Sequence, residues 1–425
     1  MKRALFSQIK NEWKENLWLV IELLIVALVI WGLAVFVIRT IRDVNYPKGF
    51  DETGVYYGDM QIFDDDGNQV YGFGYGDTPA EQIAEVVAAK QALLDRIRRM
   101  SMVEYAAYGN NPLPYNYTFI GNGMEDIVEG DTVTYTVNIR KLTPEGAKVL
   151  GLYSPDGKDA DALATVLERG ETLIGSSPLT EQEGIDLEHF VGSGPLTGNF
   201  NYPRIGATFQ GIRRTQYEIQ IPATMLIPIR ENSAEILQCE KLLLKVKPGM
   251  DRDFERALED DPSILTYKNV HLDGVHSLLD DKLRLQWNSD VQQRTYFAGA
   301  LLLLFIVFLG LLGTFWYRVY QRTSEIAVRK SFGATDSDIF RRFISEAMTL
   351  LGASFVLAIG VALLAIGQLS SSYLASVTYF PGWQWDMALA GVISFVLMSI
   401  MLLAGVGIPA RHAMKIEPAI ALKEE

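Results

Sequence analysis

Apolar residues in this chain gather into four runs, each reaching the roughly 20 residues needed to cross a bilayer as helix. The first covers 17–38 (LWLVIELLIVALVIWGLAVFVI) and is broken only by Glu22. The second covers 295–317, the third 344–369 and the fourth 387–408, with Asp386 placed to cap the first turn of the last. A signal peptide would have a shorter apolar core followed by small residues at a cleavage site. Run 1 ends instead in Arg39-Thr40-Ile41-Arg42, so it reads as an uncleaved anchor. Ahead of it, residues 1–16 place Phe6, Ile9 and Trp13, with Leu17, on one helical face. Lys2, Lys10 and Lys14 remain for lipid headgroups, the pattern of an amphipathic helix on the membrane surface.

Between the first two runs lie about 250 residues, 43–293, enough to bury a core of their own, read here as two subdomains. Their pattern alternates between helical and strand periods. Thr78–Met100 predicts a helix with Ile83, Val86, Val87, Leu93, Leu94 and Ile97 on its apolar face. VEYAAYG follows as a strand, and 131–140 (DTVTYTVNIR) alternates as a half-buried one. Thr143-Pro144-Glu145 opens a helix expected to run through Leu152. Leu242–Val246 reads as a strand, Pro248-Gly249 as a turn and Asp251–Glu259 as a short helix. Strand, proline and helix thus occur twice, as in a duplicated α+β unit. The fold class predicted is an α-helical membrane protein with four transmembrane helices and a large α+β domain between helices 1 and 2.

Charge sets the orientation. Lys2, Arg3, Lys10 and Lys14 precede the first run. Arg318, Arg322, Arg329, Lys330, Arg341 and Arg342 fill the 318–343 loop, and Arg411, Lys415 and Lys423 lie in the 409–425 tail. The 370–386 loop carries no lysine or arginine. The positive-inside rule therefore predicts cytoplasmic termini and a cytoplasmic 318–343 loop, with 43–293 and 370–386 on the far side of the membrane. Arg39, Arg42 and Arg294 violate the rule, and contact with lipid phosphates would account for them. The whole chain has a formal charge of −13 and a mean hydropathy of +0.11. Segment 43–293 holds 40 of its 51 acidic residues but only 22 of its 38 basic ones, so the acidity belongs to that domain. Its plain meaning is a solvated surface, and it argues against nucleic acid as a partner.

Little in the sequence points to catalysis. Cys239 is the only cysteine and the four histidines have no HExxH spacing, so neither a disulfide framework nor a metal centre is expected. Asp64-Asp65-Asp66-Gly67-Asn68 resembles a cation loop. With Gly67 at the sixth position, however, an EF-hand would need Ile62 as its first ligand, so a hairpin turn is the better reading. Gly72, Gly74 and Gly76 open no helix and cradle no dinucleotide, and Gly192-Ser193-Gly194-Pro195 reads as a flexible loop. GxxxxGK[ST] does not occur. Glu22, ionisable and well inside a span, is a functional candidate by default. It lies about one and a half turns from the cytoplasmic end, within reach of water or a basic partner.

The 318–343 loop is more informative. A helix is predicted from Arg322 to Phe332, with Glu325 and Arg329 spaced as an i,i+4 ion pair. Gly333 supplies a left-handed stop, and Thr335 with Asp338 forms a capping box for a second helix that carries Ile339, Phe340, Phe343 and Ile344 into the third span. Two helices would then meet at a Gly-Ala-Thr turn just under the bilayer. Orientation alone would explain the arginines but not Glu325, Gly333 and the capping pair together.

The run SEIAVRKSFGATDSDIFRRFISEAM resembles the segment after the second span in FtsX-like permeases of the MacB type, found in ABC transporters. PARHAMKIEPAIALK, 409–423, is similar to that family's ending after the fourth span. The resemblance covers roughly 175 residues of membrane region and matches the outer domain in position, size and α+β character. It implies a permease pair, either homodimer or heterodimer, working with ABC ATPase subunits by mechanotransmission. Export or envelope-associated work would follow without substrate passing between the spans. Exporters of the MacB type carry their ATPase ahead of span 1 on the same polypeptide. Span 1 begins near residue 17 here, so the expectation is a separate ATPase that brings ATP and Mg, with no cofactor on this chain. Glu325, Arg329, Lys330, Gly333, Ala334 and Thr335 are the expected ATPase-coupling surface. Arg341 and Arg342 are candidates for ATPase or lipid contact. Membrane lipids, a periplasmic adaptor and an outer-membrane component complete the possible partners. Gly299, Gly310, Gly313, Gly352 and Gly360 are candidates for close helix packing. The competing reading is a membrane-anchored extracytoplasmic binding or sensory protein without transport.

Overall fold

The computed structural model describes all residues except 1–12, 65, 71–78, 116–120, 129–130, 177–185, 193–202, 214–222, 369–381 and 414–425. The predicted surface helix 1–16, the glycine run at 72–76, most of the 192–195 loop and much of the 370–386 loop and 409–425 tail therefore lie outside the described residues. The chain divides into a membrane unit (Met1–Arg42, Val291–Thr378 and Gly382–Glu425) and an α+β unit (Asp43–Asp290 with Tyr379–Pro381).

The α+β unit is built on one ten-stranded sheet. Its strands are β1 Val55–Ile62, β2 Val103–Asn110, β3 Gly121–Val128, β4 Asp131–Leu142, β5 Thr172–Ser176, β6 Ile205–Gln210, β7 Ala223–Pro228, β8 Lys241–Val246, β9 Thr266–Tyr267 and β10 Val270–Ser277. The order is β6-β5-β7-β4-β2-β8-β1-β10-β9, with β3 paired to β4. Pairing is antiparallel except for β4 with β7 and β5 with β6. The order runs unbroken through the segment, so the two expected subdomains correspond to no separate sheets. β8 shows why the middle holds. Successive side chains of a strand point to opposite faces, and Leu242, Leu244 and Val246 enter one core while Leu243 enters the other.

The helix Ala80–Arg98 covers the first of these faces with Val86, Leu93, Leu94 and Ile97, and Phe254 of the helix Asp251–Asp260 joins them. The other face is covered by the helix Ala160–Glu168 and by a short helix, Gly146–Val149. That last helix was expected to reach Leu152. It stops because Gly151 takes φ +56°, which lets Leu152 N–H donate to Ala147 O at 3.0 Å and closes the end in a Schellman motif. The acidic 64–68 segment is a hairpin turn. Phe63 bridges Gln69, Asp64 N–H donates to Asn68 O at 2.9 Å, and Gly67 takes φ +83°.

Four long helices, α1 Trp13–Asn45, α6 Leu278–Gln321, α8 Asp336–Gln368 and α9 Trp383–Ala413, each contain a stretch long and apolar enough to span a membrane. Numbering follows chain order: the domain's helices just described are α2 to α5, and α7 comes below. Leu19, Leu23, Ala27 and Ile30 of α1 form a stripe at helical spacing. It packs with Leu311 and Phe315 of α6, Ala347, Leu351 and Ala358 of α8, and Met398, Leu402 and Val406 of α9. Three expectations change here. Asp386 does not cap α9, which starts three residues earlier at Trp383; its carboxylate pairs with Arg42 of α1 instead. Gly299, Gly310, Gly313, Gly352 and Gly360 face no atom within 4 Å of an added Cβ, whereas at Gly405 that atom would lie 3.8 Å from Leu312 Cα. The fourth helix does not end at Ile408 but continues through Pro409 to Ala413.

Candidate functional site

The loop between α6 and α8 folds as an elbow. Its helix α7, Thr323–Ser331, follows α6 after the single residue Arg322. Helix propensity is helped by Glu325 near the N-terminus and Arg329 with Lys330 in the last turn, each at the end whose dipole it complements. Arg329 Nη2 and Nε reach Glu325 Oε1 at 2.7 and 3.0 Å, the predicted i,i+4 pair. Gly333 has φ +90°, a conformation open to glycine and costly for most residues. With that turn made, Gly333 N–H donates to Lys330 O at 2.9 Å and Ala334 N–H to Arg329 O at 3.1 Å, again a Schellman closure.

The next helix is fastened at once. Asp338 N–H donates to Thr335 Oγ1 at 3.2 Å, while Thr335 donates through Oγ1 and N–H to Asp338 Oδ2 at 2.5 and 3.3 Å. This is a capping box with aspartate in the acidic position. Lys330 Nζ crosses the turn to Asp336 Oδ1 at 2.7 Å. Ile326 of α7, Ile339 of α8 and Val319 of α6 are buried together, with Ala334, Phe340 and Phe343 packed around them. Ala334 thus belongs to the elbow's apolar filling rather than to its outer surface. Arg341 is exposed and Arg342 half-buried on α8.

Sequence reasoning overlooked two residues here. Arg322 Nη1 donates to both carboxylate oxygens of Glu346, at 3.0 and 2.9 Å, and the Glu346 side chain is only 8% exposed. The acidic residue two positions inside the third apolar run was the available signal. Phe332, at the tip, is 87% exposed. A large apolar side chain standing free beside a glycine turn is legible in the sequence, but only burial separates it from a core residue. Glu22 is half-buried and accepts from Thr314 Oγ1 of α6 at 2.9 Å. The end of α9 closes on the elbow: the Arg411 guanidinium lies 5.8 Å from the Phe340 ring and His412 stacks on Trp316 at 5.9 Å.

Residues Asp43–Tyr46 and Leu278–Asp290, which belong to the α+β unit, are held within it. Arg213 Nη1 donates to Asp43 O at 2.6 Å and Tyr46 O at 3.2 Å. Leu278 is buried in the domain core, Tyr57 donates to Asp281, and Lys282 pairs with Glu52. Among the described residues no group of three or more His, Cys, Asp or Glu side chains is arranged to hold a metal ion.

Residues 297–418 match the family model for the FtsX-like permease C-terminal region. The macrolide export ATP-binding/permease protein MacB of Salmonella paratyphi A is 23% identical over 301 residues, which is 69% of this chain and 44% of that protein. MacB of Escherichia coli is 34% identical over 119 residues, 28% of this chain and 17% of that one. The pyoverdine export ATP-binding/permease protein PvdT of Pseudomonas fluorescens is 32% identical over 117 residues, again 28% and 17%. The chain thus spans less than half the length of these curated relatives. The extracellular domain of the noncanonic ABC-type transporter YknZ from Gram-positive bacteria aligns over 51% of this chain and all of its own, with 8% identity and a TM-score of 0.27. Four membrane-length helices, an elbow inside the matched region and the MacB similarities agree: residues 297–418 match the FtsX-like permease C-terminal region, and the chain is similar to permeases of the MacB type.

Proposed function

We propose that this permease works with an ABC ATPase by mechanotransmission. The ATPase, carrying ATP and Mg, engages the elbow on the cytoplasmic side, and the spans pass its motion to a 43–290 domain on the outer side of the inner membrane. Both termini are cytoplasmic in this reading, and two permeases pair in the assembly. The work done is export or a mechanical task in the envelope, and this chain binds no cofactor itself.

The elbow's construction carries the reading. Swinging a two-state element from 1:99 to 99:1 takes about 5.5 kcal/mol of differential contact, and only a stiff element delivers that energy to its far end. Here the capping box, the Schellman turn, the Lys330–Asp336 and Arg322–Glu346 pairs and an apolar plug fasten α7 to α6 and α8. The Glu325–Arg329 pair and the Gly333 turn lie at the surface, and exposed Val328 and Phe332 give the contact an apolar centre. Aromatic anchors ringed by polar groups are the usual hot spots of protein interfaces. Lys330 and Thr335 then serve the surface by holding its shape, Ala334 by filling behind it.

The test is reconstitution of the full chain with its ATPase. Glu325→Lys and Phe332→Ser are expected to release the ATPase or uncouple its hydrolysis from transport while membrane insertion stays normal. Full coupling in both variants would remove the elbow from the mechanism. If no ABC ATPase co-purifies in mild detergent, the membrane-anchored binding protein becomes the better reading.

A further inference from the structure

An apolar groove of about 520 Å³ opens between α1, α8 and α9, away from the elbow. Ala27 and Trp31, Phe355 and Ala358, and Gly391 and Phe395 line it, two from each helix in turn, and Gln384 stands at one end. Its shape follows from small residues on the floor. The Trp31 indole donates to Met387 O at 3.1 Å and lies 3.9 Å from where a Cβ on Gly391 would sit, so α1 and α9 close beneath it. The lining on α9 runs from Gln384 to Val396, thirteen residues whose ends lie about 18 Å apart along the helix. Half of a hydrocarbon core of about 30 Å is close to that length, so the groove is one leaflet deep.

The end of the groove near Gln384 is also where α1 becomes cationic. Helical spacing puts Leu28, Trp31, Arg39 and Arg42 on one face of α1, and Arg42 pairs with Asp386, two residues beyond Gln384. These are two of the arginines that break the positive-inside pattern. An apolar slot one leaflet deep beneath guanidinium groups complements a phospholipid, with its acyl chain in the slot and its phosphate at the arginines. A helix, about 10 Å across with its side chains, does not enter a crevice whose floor brings Trp31 against Gly391.

We infer that this groove is a binding site for one acyl chain of an anionic phospholipid in the leaflet that holds the 39–42 end of α1. The inference rests on the packing of the three helices and on the arginines of α1, and does not depend on the transport reading.

The full chain in nanodiscs containing phosphatidylglycerol with a photoreactive diazirine in mid-chain tests it. After illumination, mass spectrometry is expected to find label concentrated on Trp31, Phe355 and Gly391–Phe395, above the level at Leu301, Leu302 and Phe305, exposed residues of α6. Arg42→Gln is expected to lower groove labelling about fivefold, the effect of one basic residue beside an anionic headgroup. Gly391→Leu should abolish it by filling the slot. Equal labelling of groove and α6 in the wild-type chain would mean ordinary boundary lipid and overturn the site. So would efficient disulfide formation between two copies carrying Val392→Cys, which would place a second permease over the groove. Both readouts need no variant of Arg42 or Gly391 to fold.

Discussion

Arg322 Nη1 donates to both oxygens of the buried Glu346 carboxylate, joining the hinge residue between α6 and α7 to the third turn of α8. The pair spans three elements at their point of convergence, so it governs whether the elbow moves as one body. Removing one partner of a buried pair typically costs about 3–5 kcal/mol, because the other charge is left without compensation. Glu346→Ala is therefore expected to loosen the elbow more than Glu346→Gln, which retains one acceptor. Amide hydrogen exchange of 322–335 in the nanodisc-embedded chain reads this directly. Exchange unchanged from wild type in both variants would show that the apolar plug alone holds the elbow.

Gly333 is a different kind of determinant. An added Cβ would meet no atom within 4 Å, yet φ is +90°, so the objection to a side chain is conformational, not steric. A left-handed conformation costs a residue other than glycine about 1–2 kcal/mol. Asparagine tolerates it best and β-branched residues worst. Gly333→Asn, →Ala and →Val should therefore lose elbow protection and coupling in that order. An equal loss from all three would point to a contact at Gly333 with a partner, since contact, unlike backbone strain, does not follow that ranking.

Local signals made much of this legible. The apolar face of Ala80–Arg98, the alternation of Asp131–Leu142 and the pairing of Thr335 with Asp338 each lie within a few residues of sequence, where helical and strand periods are fixed by backbone geometry. The elbow was legible for the same reason. What sequence did not reveal depends on distance. Arg42 meets Asp386 across 344 positions and Arg322 meets Glu346 across 24, and no period connects them. Asp386 looked like a cap because the apolar run begins after it, but Trp383–Gln384–Trp385 joins the helix ahead of it. The glycines expected to pack closely were chosen by residue type, whereas close approach depends on which helix face meets a neighbour, as Gly405 does.

The junction of α6 with its domain offers a third prediction. Glu52 accepts from Lys282, from Lys48 at 2.8 Å and from the Tyr115 hydroxyl at 3.3 Å. Burial pushes the Glu52 carboxyl up, but Lys282 and Lys48 outweigh it and leave the group below its ordinary value of 4.5. A carboxylate held lower in the folded chain stabilises fully above the unfolded value, and that contribution fades as pH falls through the folded one. The 278–282 turn is thus expected to lose protection below about pH 4.5, and Glu52→Gln to remove that acid sensitivity. A double-mutant cycle of Glu52→Gln with Lys282→Met should give a coupling of about 0.5–3 kcal/mol in thermal unfolding. Strict additivity would mean that Leu278 and Tyr57–Asp281 hold the junction without this pair.

Lys90 gives a prediction of the same sign at the alkaline end. Its side chain is buried, its ammonium donates to Ile236 O at 3.0 Å and Cys239 O at 2.9 Å, and the Tyr108 ring lies 5.6 Å away. Burial pulls the amine down to about 8, with the neighbouring Cys239 acting weakly the other way. The same burial pushes the Cys239 thiol up to about 12 and keeps it neutral. The folded amine therefore binds its proton less tightly than the unfolded one, whose ordinary value is 10.5. Between about pH 8 and 10.5 unfolding takes up a proton, so this group's contribution to stability rises with pH across that window. Lys90→Met lacks the titration and strands two buried carbonyl oxygens, each of which costs about 1–3 kcal/mol when left without a donor. Melting temperatures of wild type and Lys90→Met, measured from pH 7 to 10, should diverge in favour of wild type as pH rises. A constant difference would mean that Lys90 keeps its proton throughout, held by its carbonyl cage more firmly than burial opposes it.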